Sequence, residues 1–231
     1  MWRRRSSTNP PFANRRDAGR QLADALAPLV ADISRDRLLV LGLARGGVVL
    51  AAEVAHALDA ELDACVVRKI GAPMQPELAI GAVGPGDHRL YNRHLIRSLK
   101  LSPEGVGAMA DAVSSERDQL DAFLRDSRPE PELDGRTVVL IDDGLATGAS
   151  MRAALAWAKE STDAVIIAVP VAPPDVVDIF EGLGAQVVCL LTDRQFGAVG
   201  TFYGQFEEVS SDRVRALLGH SAQPPRPSCD V

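Results

Sequence analysis

The most constraining feature of this sequence is a short apolar run that ends at two adjacent carboxylates. Residues 137–141 read Thr-Val-Val-Leu-Ile, and Asp142 and Asp143 follow directly. An unbroken run of β-branched and aliphatic residues is typical of a strand buried on both faces of a parallel sheet. Small residues continue to Ser150, and residues 151–157 favour a helix. This order predicts an anion site, because the free N–H groups and the dipole of a helix N-terminus both favour a phosphate.

A similar strand–turn–helix unit lies earlier in the chain. Residues 38–43 are apolar, Ala44-Arg45-Gly46-Gly47 forms a turn with one cation, and residues 48–58 have a helical pattern. Parallel strands end at the same edge of a sheet, so we expect the turns at 44–47 and 142–150 to converge there. Carboxylates beside a phosphate site would hold hydroxyl groups or a metal. The two units together predict a phosphorylated sugar as the ligand.

Strand patterns alternate with helical patterns over most of the chain. This alternation predicts an α/β fold with a mostly parallel sheet, helices on both faces and ligands outside the carboxyl ends of the strands. We expect one domain over residues 12–218 between disordered tails at 1–11 and 219–231. Pro28 is expected to end or bend the first helix. Further strands are predicted at 62–67, 78–83, 89–91, 164–169 and 185–191.

The stretch after the second predicted strand is unusual. That strand is expected to close on Arg68 and Lys69, and residues 71–76 read Gly-Ala-Pro-Met-Gln-Pro. Glycine and two prolines in six positions suit neither a helix nor a strand. We therefore predict an irregular segment that begins just after two cations.

Composition narrows the class of protein. The net charge is −6, divided between a local +5 over residues 1–20 and −11 over the remainder, and an acidic body argues against a general nucleic-acid groove. Three cysteines without a CxxC pair indicate a reduced, cytoplasmic protein. The longest apolar stretch, 164–172, is too short to cross a bilayer. No apolar segment follows the N-terminal arginines, so no signal peptide is expected.

Residues 138–150 resemble the signature of type I phosphoribosyltransferases, which use 5-phospho-α-ribosyl 1-pyrophosphate (PRPP). Arg45-Gly46-Gly47 resembles the pyrophosphate loop of that family, and Arg68-Lys69 with the segment after it resembles the start of the flexible catalytic loop. The C-terminal part lies where the family has its base-binding hood. The resemblance covers residues 12–218. It is nearest to a group of bacterial phosphoribosyltransferases, on four motifs: residues 12–19, 68–71 and 76–83, and Phe202-Tyr203.

The resemblance implies a role for each of these residues. Asp142 and Asp143 would bind the ribose hydroxyls and assist an Mg²⁺-bound donor, since Mg²⁺ prefers oxygen ligands. Residues 71–86 would form a lid. The turn residues would hold the 5′-phosphate and ribose: Leu145, Ala146, Thr147, Gly148, Ala149 and Ser150. Two other sets would bind the pyrophosphate and stabilise its charge as it leaves: Arg45, Gly46 and Gly47, and the catalytic candidates Arg68 and Lys69.

Each of these roles has a structural alternative. Two acids after a strand are often only solvent-exposed, and Thr147 could simply cap a helix. The 44–47 stretch could be a plain tight turn, and Arg68 and Lys69 a solvated pair.

Two positions depart from the family pattern. Ala146 stands where purine salvage enzymes for hypoxanthine or guanine carry an Asp that handles the proton on the base. Gly144 replaces the usual aliphatic residue, and extra backbone freedom is the expected effect. Any general acid would then come from the lid or the hood, where Asp193, Arg194, Phe196 and Tyr203 could contact a flat acceptor.

Three hypotheses follow. The first is an Mg²⁺-dependent phosphoribosyltransferase that acts on a nitrogenous acceptor, in nucleotide salvage if the acceptor is a nucleobase. The second is a non-catalytic PRPP-binding regulator of the same fold. The third is a two-Asp phosphohydrolase, for which further carboxylates at other strand ends are not evident. No membrane or nucleic-acid partner is expected. The sequence leaves the acceptor and the oligomeric state open, although homodimers are common in the family.

Overall fold

The computed structural model describes residues 10–126 and 128–220. Within them, helices and strands alternate as the sequence patterns predict. The helices are α1 (Arg15–Val30), α2 (Gly46–Leu58), α3 (Arg93–Ser98), α4 (Pro103–Arg125), α5 (Ala149–Ala158), α6 (Pro174–Gly182) and α7 (Ser211–His220). The strands are β1 (Leu38–Leu43), β2 (Glu61–Cys65), β3 (Arg68–Ala72), β4 (Gln75–Val83), β5 (Arg89–Tyr91), β6 (Thr137–Ile141), β7 (Val165–Ala172) and β8 (Gln186–Thr192).

Five strands form one parallel sheet in the order β2-β1-β6-β7-β8. All residues of β1 and β7 are buried, which explains why their sequences are unbroken apolar runs. Side chains of α1, α2 and α7 pack on one face and those of α5 and α6 on the other. The predicted α/β fold with a mostly parallel, doubly covered sheet is therefore confirmed.

The stretch after β2 corrects two predictions. Strand β2 ends at Cys65, and Arg68 and Lys69 do not close it but begin β3. The segment 71–76 is not irregular: β3 and β4 form an antiparallel hairpin, which β5 extends to a three-stranded sheet. The turn at Pro73 and Met74 connects the two strands, with Met74 at a φ of 67° and almost fully exposed. Burial of Ile70 and Ile80 against α4 favours the strands over the local Gly and Pro signals.

The boundaries of the domain differ slightly from those predicted. Helix α1 continues two residues past Pro28, to Val30, with the proline on its exposed side. Helix α7 reaches His220, two residues beyond the expected boundary. The predictions for residues 1–9 and 221–231 lie outside the described residues. None of the helices in the described part of the chain is both long and apolar enough to span a membrane.

Candidate donor site

The acidic pair lies between two helix N-termini at the carboxyl edge of the parallel sheet. Strands β1 and β6 are neighbours, so the turns that follow them meet. A Cβ built on Gly46 would overlap the Oδ2 atom of Asp143, and one on Gly47 would overlap the carbonyl oxygen of Ile141. The predicted convergence of 44–47 with 142–150 is confirmed. Both α2 and α5 begin there, which directs two positive helix ends toward the acidic pair.

Each carboxylate of the pair uses one oxygen within the protein. Oδ1 of Asp142 accepts a hydrogen bond of 2.9 Å from the backbone N–H of Asp143, and Oδ2 of Asp143 accepts from Arg15 at the same distance. No hydrogen bond from the described residues reaches the second oxygen of either side chain. The pair therefore offers two carboxylate oxygens to a ligand.

Burial and mutual repulsion disfavour two full charges on this pair. Burial, with the neighbouring Asp143 charge, raises the pKa of Asp142 well above its ordinary value, against the opposing effects of the Asp143 N–H and of Lys69. Burial also raises the pKa of Asp143, although the Arg15 guanidinium opposes this. Positive charge from a ligand or a metal would thus be favourable here.

The turn after the acidic pair suits a phosphate. Leu145 is buried, with its N–H 2.9 Å from the Val171 carbonyl oxygen, whereas Ala146 and Thr147 are exposed. Gly148 is the N-cap of α5 at a φ of 69°, and a Cβ there would lie 2.8 Å from the ring of Phe180. Ala149 and Ser150 follow in the first turn of α5. Capping by Thr147 is not observed: the N-cap is a glycine without a side chain, which leaves the first-turn N–H groups to a ligand.

The other turn places Arg45 beside an open cavity. The Ala44–Arg45 peptide bond is cis, and Arg45 is the N-cap of α2, so that Gly46 and Gly47 form the first helical residues. The Arg45 guanidinium pairs with the exposed carboxylate of Glu208. A cavity of about 400 Å³ lies next to Gly46 and is lined by both Arg15 and Arg45.

The structure separates the two cations predicted at the catalytic loop. Both are exposed at the start of β3, where successive side chains point to opposite faces. Lys69 lies near enough to Asp142 to lower its pKa. No contact in the described residues brings Arg68 to the acidic pair.

Arg15 is a site residue that the sequence analysis did not identify. Its Nε and Nη2 atoms both lie 2.9 Å from Oδ2 of Asp143, and the two side chains are only 12% and 16% exposed. The residue occurs in the 12–19 motif, but its partner is 128 positions away. The available signal was a cation at the very start of a helix that packs beside the first turn.

The hood covers the acidic pair more closely than expected. The Tyr203 hydroxyl donates a 2.5 Å hydrogen bond to the carbonyl oxygen of Asp143, and Tyr203 stacks between Phe12 and Phe206. Gly144 is buried, and a Cβ there would lie 2.8 Å from Cγ1 of Val199. The expectation that Gly144 supplies backbone freedom is therefore wrong, since glycine is required here for close packing of the hood.

The predicted acceptor contacts differ in their surroundings. Phe196 stacks on Phe202 with ring centroids 5.3 Å apart, which is core packing within the hood. Asp193 accepts from the N–H of Gln195 at 2.8 Å in a local turn, and Arg194 is exposed. The hood therefore does not bring these side chains together as one recognition set.

A parallel sheet with an acidic pair between two helix N-termini is the architecture of a binding site for a phosphorylated sugar. The family model described as a phosphoribosyl transferase domain matches residues 14–176. The chain belongs to the phosphoribosyl transferase family.

Similar proteins support this assignment. The chain is 44% identical, over 208 residues and 90% of its length, to provisionally named phosphoribosyl transferases of two Mycobacterium tuberculosis strains, MT0597 (CDC 1551 / Oshkosh) and Rv0571c (ATCC 25618 / H37Rv). That match spans 46% of each relative, so the chain covers about half their length. The crystal structure of TT1426 from Thermus thermophilus is 42% identical, with a TM-score of 0.77, and the match covers 92% of this chain and 99% of that one.

Proposed function

We propose that the chain transfers ribose 5-phosphate from PRPP to a nitrogenous acceptor, releasing pyrophosphate, with Mg²⁺ as the cofactor. The observation that carries this proposal is the placement of Asp142 and Asp143 between the N-termini of α2 and α5. A sugar with phosphates at both ends would place one on each helix terminus and its hydroxyl groups at the carboxylates. A nucleobase is the acceptor class that we favour, which would make the reaction one of nucleotide salvage.

In this proposal the protein acts mainly by positioning and charge. The first-turn N–H groups of α5, with the hydroxyls of Thr147 and Ser150, would bind the 5′-phosphate. Arg45 and the N–H groups of Gly46 and Gly47 would bind the pyrophosphate. As the bond from C1′ to the pyrophosphate oxygen breaks, the ribose gains oxocarbenium character, and an acceptor nitrogen forms the new bond to C1′ and loses its proton.

Cations near the pyrophosphate would stabilise the charge that develops on it. Lys69 is the better placed of the two predicted catalytic cations, because its charge already acts on Asp142. The role of Arg68 would require movement of the β3–β4 hairpin over the site. That movement would also make the hairpin a lid, as the family resemblance implies for residues 71–86.

The acidic pair fits Mg²⁺ bound together with the donor. Its two carboxylate oxygens without an internal hydrogen bond are hard oxygen ligands, and the raised pKa of Asp142 indicates a site that would favour a cation. Among the described residues no three His, Cys, Asp or Glu side chains are grouped to hold a metal. One or two carboxylates and the donor's own oxygens would therefore complete the coordination, and the metal would help neutralise the pyrophosphate.

A pyrophosphate-release assay with PRPP, Mg²⁺ and a panel of purines, pyrimidines and related acceptors tests this function. We expect release with at least one acceptor and its loss in the variant Asp142→Asn with Asp143→Asn, whose fold should persist. Normal turnover by that variant would exclude the proposed role of the pair. Donor binding by the parent protein without turnover across the whole panel would instead favour a PRPP-binding regulator.

A further inference from the structure

The guanidinium of Arg15 is fixed at three points. Two of its nitrogens, Nε and Nη2, lie 2.9 Å from a single oxygen of Asp143, and Nη1 donates to the Glu207 carbonyl oxygen at 2.7 Å. The Phe206 ring lies against the guanidinium, 3.7 Å from ring centroid to Cζ. With every nitrogen engaged and one face stacked, the group has little rotational freedom.

The local sequence of α1 explains why this arginine is placed so firmly. Asn14 caps the helix by accepting from the Asp17 N–H at 3.0 Å, and the Asp17 carboxylate accepts from the Ala13 N–H at 2.9 Å. This reciprocal cap fixes the first turn, which contains Arg15. Further along, Gly19 allows α1 to approach α2, because a Cβ there would lie 2.9 Å from the Leu50 carbonyl oxygen. Arg15 is therefore presented by a rigid element.

Asp143 is held from two sides as a result. Arg15 binds one side-chain oxygen, and Tyr203 binds the main-chain carbonyl at 2.5 Å. The other side-chain oxygen makes no hydrogen bond within the described residues. The adjacent Asp142 would repel a second free carboxylate, so the guanidinium also offsets repulsion that would separate the two side chains.

We propose that Arg15 is the positioning residue of the acidic pair, fixing one oxygen of Asp143 so that the other remains available to the ribose hydroxyls of the donor. This inference rests on the proposed function. It assigns no bond from Arg15 to the donor. An ion pair with only a structural role would change the stability of the fold and leave donor affinity in the folded protein unaltered.

Three variants of the full chain test this role: Arg15→Gln, Arg15→Lys and, as the matched control, Arg20→Gln. Arg20 lies on the same helix and pairs with Glu53, but it is exposed and outside the site. Calorimetric titration with PRPP and Mg²⁺ should show at least about tenfold weaker binding for Arg15→Gln, the loss expected for a charged hydrogen bond. Arg15→Lys should recover part of that affinity, and Arg20→Gln should match the parent.

Steady-state kinetics add a second readout. Arg15→Gln should raise the KM for PRPP about as much as it weakens binding, with a smaller change in the KM for the acceptor. Unchanged donor affinity in a folded Arg15→Gln protein would overturn the inference while leaving the proposed function intact. Failure of the parent protein to bind PRPP would overturn both.

A double-mutant cycle with Asp143→Asn identifies the residue through which Arg15 acts. In the Asp143→Asn background, Arg15→Gln should cause little further loss of donor affinity, because the carboxylate it positions is gone. An equal loss in both backgrounds would overturn the inference. If Arg15→Gln does not fold, the same cycle is run with Arg15→Lys, for which the same criterion applies.

Discussion

Val199 of the hood packs directly against the backbone of Gly144, the residue that follows the acidic pair. A Cβ on Gly144 would lie 2.8 Å from Cγ1 of Val199 and 3.0 Å from Cγ1 of Val171. The φ of Gly144 is not in the left-handed region, so the requirement is for space. The hood and the acidic turn therefore form one packed unit.

Substitution of Gly144 should separate that unit. We expect Gly144→Ala to lower the free energy of unfolding by about 1 to 3 kcal/mol, the usual cost of overpacking. Urea denaturation measures this. Gly197→Ala is the control, since a Cβ at that exposed hood position meets nothing within 4 Å and should change stability by less than about 0.5 kcal/mol. Equal effects of the two substitutions would contradict the packing explanation.

The two glycines at the start of α2 should respond differently to substitution. A methyl group on Gly46 meets the Asp143 carboxylate, which can move, whereas one on Gly47 meets the carbonyl oxygen of Ile141 in the central strand. Gly46→Ala should therefore reduce PRPP affinity at least about tenfold with little loss of stability. Gly47→Ala should cost about 2 kcal/mol or more in unfolding free energy. Calorimetric binding and urea denaturation of both variants check the contrast, which a reversed order would refute.

Removal of one charge from the acidic pair should stabilise the unliganded protein at high pH. The folded pKa of Asp142 is raised, so its favourable contribution is present below its ordinary pKa of 3.8 and is lost as pH rises through the folded value. Asp142→Asn should thus gain about 1 kcal/mol over the parent at pH 8, with no gain near pH 4. Urea denaturation without divalent cations at both values measures this. A gain of the same size at both would show that charge is not the cause.

A buried arginine on α4 should be important for stability. Arg125 donates to Asp63 at 2.7 Å and to Asp121 at 2.9 Å, and its Nη2 contacts the Ala64 carbonyl oxygen on the edge strand β2. Arg125→Met leaves the buried Asp63 without its cation and should cost about 3 kcal/mol or more. Adding Asp63→Asn should recover part of that loss, as urea denaturation would show. Additive losses in the double variant would contradict the pairing.

Local sequence was sufficient for the parallel sheet and the donor turns. Strand β6 is an unbroken apolar run that ends at Asp142, and its neighbour β1 ends at a Gly-rich turn, so topology alone brings the two turns together. The same periodicity failed where burial is decided by partners far along the chain. Phe123, expected on the core side of α4, is 39% exposed, whereas Arg117 and Arg125 of that helix are buried.

Two further features were hidden for physical reasons. The β3–β4 hairpin contains Gly and Pro signals that disfavour a strand, and only packing of Ile70 and Ile80 against α4 favours one. The pairing of Arg15 with Asp143 joins residues 128 positions apart, and no local pattern encodes it. The roles of the individual site residues in binding and catalysis stay predictions until the variants are measured.

The separation of Arg15 from Asp143 along the chain has a consequence for folding. The donor site uses the start of α1, the turn after β1, the turn after β6 and the hood at Tyr203, so distant parts of the polypeptide must meet before the site exists. Such non-local contacts form late in folding, after the entropy of closing long loops has been lost. Donor binding should therefore report the completion of folding, and a fragment ending before residue 203 should lack high affinity even if its first strands pair.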